Sequence, residues 1–279
     1  MTDSNRGSTR RSVRSVPLRT EKIVAQVEQG VGWLSFNNPE RRNAVSLEMW
    51  QGLGDAAEAF EADAEVRVVV VRGAGGKAFA AGADISEFEQ HRANAQQKKT
   101  YNEIASRGTL GLAQMSKPLI AMVQGFCIGG GLALALTADV RFASRASTFG
   151  IPAAKLGLGY EYAGIAALAR LVGPSATKDI LFSARFLDAD EALRIGLVNF
   201  AVDDAELEQQ VRAYALRIAG NAPLTVHAAK SAVRVFERYS NDDDAATIEA
   251  LVDRCFDSDD FREGRRAFVE KRPAVFTGS

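Results

Sequence analysis

The sequence predicts an α/β protein, a spiral or layered sheet with interleaved helices, followed from Asp204 onward by a helical region. Three observations carry this reading. Val66–Arg72 is a β-branched run of the kind that suits a strand covered on both faces. Pro118–Asp139 holds a second apolar run, Leu119–Val123, then Gln124-Gly125 and Gly129-Gly130-Gly131, and then Leu132–Leu136, which reads as a buried helix. Beyond Asp204 the strand signals stop and one helical stretch follows another.

Taken in order, residues 1–19 carry Arg6, Arg10, Arg11, Arg14 and Arg19 among serines, with Asp3 alone acidic. That composition resembles a mitochondrial transit peptide, but it lacks an amphipathic apolar stripe, so a disordered basic leader is expected. The core is expected over residues 20–203. Ile23–Val27 and Val31–Phe36 flank Glu28-Gln29-Gly30 as a hairpin that ends at Asn37-Asn38-Pro39. Ser46 can cap a helix with the inner stripe Met49/Trp50, Leu53, Ala57 and Phe60.

After the Val66–Arg72 strand, Ser86–Met115 is polar at first and reads as helical over Ile104–Met115. Val140–Ala143 and Thr148–Phe149 are expected as short strands. Ala163–Val172 and Ser175–Phe182 are expected as helices parted by Gly173-Pro174, with a short helix at Ala189–Ile195 and a last strand at Val198–Val202. The region 204–279 is expected to hold helices over Asp204–Ala219, Leu224–Tyr239, Ala245–Phe256 and Phe261–Lys271.

Composition narrows the function. The 279 residues, 47% hydrophobic, can bury a full core. Thirty-four basic and 35 acidic residues leave a net charge of −1, so no basic field is available to hold a nucleic-acid backbone. Cys127 and Cys255 suggest no disulfide framework and fit a reducing compartment, expected to be the cytoplasm rather than the mitochondrial matrix. Cys127 reads as a small buried hydrophobe. The histidines are His91 and His227, too few for a His-rich metal site or a Ser-His-Asp triad. No apolar run reaches the ~20 residues of a membrane span.

Two stretches carry the chemistry. The glycines at 129–131 remove every Cβ from a turn that opens a helix, so another group can approach the backbone. Amides at a helix start lack intrahelical partners and can hold an anion or a developing oxyanion. The same glycines would also serve tight helix–strand packing. Lys77–Ile85, KAFAAGADI, reads as a small-residue loop at the C-terminal end of a strand, where open α/β sheets place ligands. No G-x-G-x-x-G sits between strand and helix, which argues against a dinucleotide site.

The pair AFAAGADI and QGFCIGGG resembles the enoyl-CoA hydratase/isomerase (crotonase) family. NNPERRNA near the start, FGIPAAKLGLG in the middle and EGRRAFVEKRPAVF at the end extend the likeness from about Lys22 to Phe276. The resemblance implies a ββα spiral core, a coenzyme A thioester as substrate, and no metal or redox cofactor. It also implies assembly as a homotrimer or dimer of trimers through the helical region 204–279. The family's device is an oxyanion hole for the thioester enolate. Its two backbone donors fall here at Ala83 and Gly130, with Ala81, Gly82, Asp84 and Ile85 forming the substrate-binding loop. Such donors are worth roughly 2.7–4 kcal/mol of barrier each.

The hydratase pattern departs twice. The two glutamates typical of the family's hydratases fall at Ala133 and Ala153, and alanine moves no proton. A carboxylate stands nearby at Glu161, in GLGYEYAG, where the family's dienoyl-CoA isomerases and aryl-CoA dehalogenases carry an aspartate. Among Gly157, Leu158, Tyr160, Tyr162 and Ala163, a lone carboxylate would be driven toward its protonated form by desolvation, which suits a proton shuttle. Equally, Glu161 could be an acid capping the next helix. Tyr160 matches a tyrosine of the family's methylmalonyl-CoA-type decarboxylases, which carry a histidine where this chain has Ala83. Lys271 matches a lysine that meets the CoA phosphates. The expected activity is therefore an enolate-forming acyl-CoA reaction of hydratase/isomerase type with Glu161 as sole carboxylate. A decarboxylase-type lyase and a non-catalytic acyl-CoA binder are the rivals.

Overall fold

Alternation of strands between two sheets is what builds the core. The larger sheet holds, in spatial order, β1 (Arg14–Val16), β2 (Ile23–Glu28), β3 (Val31–Phe36), β4 (Val68–Gly73), β6 (Leu119–Val123), β8 (Val140–Ser144) and β11 (Phe200–Val202). The smaller holds β10 (Leu187–Asp188), β9 (Thr148–Gly150), β7 (Phe126–Ile128) and β5 (Ala78–Ala80). From β4 to β9 the chain lays strands alternately in the large and the small sheet. Helices α3 (Ala95–Gln114) and α4 (Gly130–Ala135) return it for the next turn. The result is a ββα spiral. This computed structural model describes residues 13–91, 93–221, 223–237, 253, 256–272 and 274.

Strands β3, β4, β6, β8 and β11 pair in parallel, while β1, β2 and β3 pair antiparallel. Burial on both sides explains the β-branched run in β4. Val69 and Val71 face the main core with Phe36, Leu53 and Phe79. Val68 and Val70 face the other way, onto Leu207, Val211 and Ala215 of α7 (Asp204–Ala219).

The leader needs a correction. Arg14–Val16, expected within a disordered segment, is an edge strand on β2, with Arg14 opposite Val27. Its charges are consumed locally: Arg14 pairs with Asp63 and with Glu65 at 3.1 Å, and Arg19 holds Asp55 at 2.8 Å. Acids of α1 (Leu47–Ala62) and of the turn that follows it thus hold basic residues that composition alone assigns to solvent. Residues 1–12 lie outside the described residues.

Ser46 caps α1 as expected, its Oγ accepting from Met49 N at 3.3 Å, and Met49, Trp50, Leu53, Ala57 and Phe60 are buried. After the short α2 (Phe88–His91), α3 begins at Ala95 rather than Ile104. Asn94 caps it by accepting from Gln97 N at 3.0 Å. Its polar first half is partly internal, because Tyr101 receives a 2.8 Å hydrogen bond from buried Trp50 Nε1. Helix α5 (Tyr162–Ser183) breaks at Gly173, with φ 77° and ψ 163°, ahead of Pro174. Helix α6 (Ala189–Arg194) and β11 then lead to α7 and α8 (Pro223–Glu237). Lys230 of α8 donates to Lys117 O and Asp139, both at 2.7 Å, which docks that helix on the β6 entry. Most of the helix expected over Ala245–Phe256 lies outside the described residues.

The helix Asp259–Glu270 packs on the 3₁₀ turn Pro152–Leu156. Two glycines allow it. A Cβ at Gly157 would stand 2.5 Å from Asp260 O, and one at Gly264 would stand 2.2 Å from Leu156 O. No helix among the described residues is long and apolar enough to cross a membrane.

Candidate active site

The AFAAGADI loop leaves β5 and runs beside Val45 as a single parallel bridge. Val45 N donates to Gly82 O at 2.8 Å, and Asp84 N donates to Val45 O at 3.0 Å. In a parallel bridge the intervening residue, Ala83, turns its own amide away from that ladder. Gly82 takes φ +113°, which only glycine adopts without strain. Ala81 N is engaged by Arg42 O at 3.0 Å. Asp84 is consumed in holding the loop: it accepts from Ser86 N at 3.1 Å, Ser86 Oγ at 2.6 Å and Arg41 Nη1 at 2.9 Å. Burial by itself raises this carboxyl, but the Ser86 and Arg41 bonds outweigh it and hold it below the usual carboxylate range. Asp84, expected in the substrate-binding loop, thus has its carboxyl oxygens engaged within that loop.

The second loop leaves β7 at Gly129, which sits at φ +53° and donates to Gly150 O at 2.8 Å. Gly129 O accepts the first helical bond of α4 from Ala133 N at 2.9 Å and the Tyr160 hydroxyl at 3.3 Å. Gly131 lets the loops meet, since a Cβ there would stand 2.0 Å from Ala80 O. A Cβ direction at Gly130 points to within 3.3 Å of Ala83 N, with the Trp50 ring edge at 3.8 Å. Neither the Ala83 nor the Gly130 amide has a backbone acceptor among the described residues. Helix α4 has six residues, so local amides rather than a long helix dipole supply any positive field here.

Above the loops, Ala83, Ile85 and Leu158 pack against Phe256 and Phe261, so the final helix closes this side. Ala153 lies in the 3₁₀ turn and accepts from Leu158 N at 3.1 Å. Ala133 lies in the first turn of α4. Neither position offers an ionisable group. Part of the Tyr160 ring is exposed, but its hydroxyl lies inside against Gly129, and burial pushes the phenol well above its ordinary range, so it stays protonated. Lys271 is exposed at the C-cap of the final helix with φ +53°.

Glu161 occupies the N-cap position of α5, yet its side chain makes no capping bond. It is not the lone carboxylate expected from the neighbouring sequence. Its Oε1 accepts from Asn102 Nδ2 at 2.8 Å and lies 3.4 Å from Lys98 Nζ, both on α3. Lys98 and Asn102 escaped the sequence reading because the start of α3 has the composition of a surface helix. A lysine four residues before an asparagine, on one helical face, is the only local signal they leave. Lys98 is 3% exposed and carries a second carboxylate, Asp253, at 2.6 Å.

Two clefts lie elsewhere, one of about 410 Å³ between α5 and α6 and one of about 340 Å³ beside the final helix. Neither is lined by Ala83, Gly130 or Glu161. Among the described residues, no cluster of three or more His, Cys, Asp or Glu side chains could hold a metal ion.

A ββα spiral whose strands alternate between two sheets, with a helical C-terminal region, is the crotonase fold. The chain belongs to the enoyl-CoA hydratase/isomerase family, which it matches over residues 26–279. It is 37% identical to the crotonyl-CoA hydratase of Syntrophomonas wolfei, over 92% of this chain and 98% of that one. It is 34% identical to the short-chain-enoyl-CoA hydratase of Clostridium acetobutylicum, over 91% of this chain and 97% of the relative. Among solved structures, a methylmalonyl-CoA decarboxylase in complex with 2-nitronate-propionyl-CoA superposes with a TM-score of 0.85 at 29% identity, covering 93% of this chain and 99% of the other.

Proposed function

We propose that this protein is an acyl-CoA enzyme that holds a thioester carbonyl between the Ala83 and Gly130 amides and stabilises the enolate formed there. The observation that carries the reading is the approach of the outward face of Gly130 to Ala83 N, 3.3 Å from a Cβ position that glycine leaves empty. The two amides, which have no backbone acceptor among the described residues, are the donors proposed to meet the thioester oxygen. As a proton leaves the α-carbon, charge moves onto this oxygen, and each donor lowers the barrier by roughly 2.7–4 kcal/mol.

Glu161 is proposed as the group that moves the proton. With alanine at 133 and 153, no second carboxylate activates a water, and one carboxylate that both takes and returns a proton fits isomerisation of an enoyl thioester best. This chemistry needs no redox cofactor and no metal. The names of the relatives, hydratases and a decarboxylase, support the acyl-CoA class without choosing among reactions.

Decarboxylation is the second reading, favoured by the bond from Tyr160 to Gly129 O at the turn itself. There Tyr160 would exchange its bond to Gly129 O for one to a substrate carboxylate, which leaves as carbon dioxide, its electron pair passing to the same enolate. A panel of 2-enoyl-, 3-enoyl- and 2-carboxyacyl-CoA thioesters, offered to the wild type and to Glu161→Gln, tests both. Isomerisation or hydration that falls about 10²–10⁴-fold in the variant, with thioester affinity kept, supports Glu161. Decarboxylation untouched by Glu161→Gln favours the Tyr160 route. Tight binding with no turnover on any thioester sinks both and leaves an acyl-CoA binder.

A further inference from the structure

Lys98 has an unusual setting for a residue in a Gln/Lys/Asn-rich stretch. Its side chain is 3% exposed, with Asp253 Oδ1 at 2.6 Å, Glu161 Oε1 at 3.4 Å and the Phe256 ring at 5.3 Å. Asn102, one turn further along α3, donates to the same Glu161 oxygen at 2.8 Å. One ammonium thus joins three parts of the chain: the covering helix α3, the start of α5, and the segment that precedes the final helix.

We infer that Lys98 is a positioning residue for Glu161, and that Asp253 tunes it by competing for the same ammonium. The inference rests on Glu161 being the proton-transferring group. Lys98 and Asn102 both act on Oε1, which holds the carboxylate against α3 and leaves Oε2 without either contact. Asp253, the nearer of the two acids, holds the same ammonium, so the C-terminal segment sets how firmly Lys98 engages Glu161.

Two other described groups near this cluster are accounted for. Tyr160, beside Glu161 in the chain, stays protonated because burial raises its phenol. Asp257 is occupied at the start of α3, where it accepts from Ala95 N at 3.1 Å. Burial works against the Lys98 ammonium, but its bond to Asp253 and the charge of Glu161 outweigh this and keep it protonated.

The signs follow. Removing the cation in Lys98→Met makes Glu161 harder to ionise, so the acid limb of the pH–rate profile moves to higher pH. Removing the competitor in Asp253→Asn gives Lys98 wholly to Glu161, so the limb moves to lower pH. The two shifts are expected in opposite directions. A structural role alone would lower rate or thermal stability and leave the limb in place. Asp253 is 48% exposed, so its variant is expected to fold even if Lys98→Met does not.

The decisive measurement needs no turnover. Protein labelled with ¹³C at the glutamate carboxyl is titrated with pH, and the resonance missing in Glu161→Gln identifies this residue. Opposite shifts of its titration midpoint in Lys98→Met and Asp253→Asn bear the inference out, as do matching shifts of the rate profile. Midpoints that stay at the wild-type value in both variants, or that move the same way, overturn it. If Glu161→Gln leaves turnover intact, the proton-transfer reading falls by itself, and the carboxyl titration still decides whether Lys98 governs Glu161.

Discussion

Gly131 and Ala80 meet so closely that a Cβ on the glycine would stand 2.0 Å from the alanine carbonyl oxygen. This contact locks the start of α4 against the strand that feeds the AFAAGADI loop, and the Ala83 and Gly130 amides lie on either side of it. Gly131→Ala is therefore expected to destabilise the fold by about 1–3 kcal/mol or more through overpacking. Denaturant unfolding checks it; an unchanged midpoint would mean the two loops are not locked here.

Its neighbour should behave differently. A Cβ at Gly130 would meet Ala83 N at 3.3 Å, a tight but tolerable distance, and would crowd the amide proposed as a donor to the thioester oxygen. Gly130→Ala is expected to unfold near the wild-type midpoint while losing about 10²–10³-fold in turnover. Full activity in a folded Gly130→Ala protein contradicts the oxyanion assignment.

Asn43 holds the NNPERRNA segment to the turn between β4 and β5. It is fully buried, donates to Ala74 O at 3.0 Å and Ala78 O at 2.8 Å, and accepts from Asn38 N at 2.9 Å. Asn43→Ala leaves these groups unpaired, at about 1–3 kcal/mol for each one that water cannot reach. Differential scanning calorimetry should show a clear fall in melting temperature, and a fall no larger than that of an exposed control would refute the role.

Acid should loosen the Ala83 loop through Asp84. Its folded carboxyl lies below the ordinary value, so its contribution is present above the unfolded pKa of about 3.9 and fades as pH drops through the folded one. Arg41→Ala removes one of the bonds that lower it, so the contribution should be smaller and its loss complete at a higher pH. Stability curves of the two proteins from pH 7 to pH 2 that stay parallel would argue against this.

A homotrimer or dimer of trimers is proposed, with the region after Asp204 at or near the contacts. Phe268 and Val269 of the final helix are 54% and 74% exposed, and Phe182 at the end of α5 is 76% exposed, an apolar surface suited to subunit contact. Light scattering at micromolar concentration should report three or six chains; a monomer alone removes the proposal.

Much of this architecture was legible in residue order. The β4 valines, the Ser46 cap, the break at Gly173-Pro174 and the two small-residue loops are local patterns, and local patterns set strands, caps and turns without help from distant parts. The family motifs likewise lie within short stretches, so the candidate amides at Ala83 and Gly130 could be named in advance. What the sequence left open was pairing at a distance. Arg14 became an edge-strand residue because Asp63 and Glu65 waited at the end of α1. Asn102 reached Glu161 across 59 residues, and Lys98 became buried because Glu161 from the middle of the chain and Asp253 from its C-terminal region converge on it. Periodicity and composition describe one segment at a time. A charge buried between three segments takes its character from the partners that folding supplies, and so only the tertiary structure could decide it.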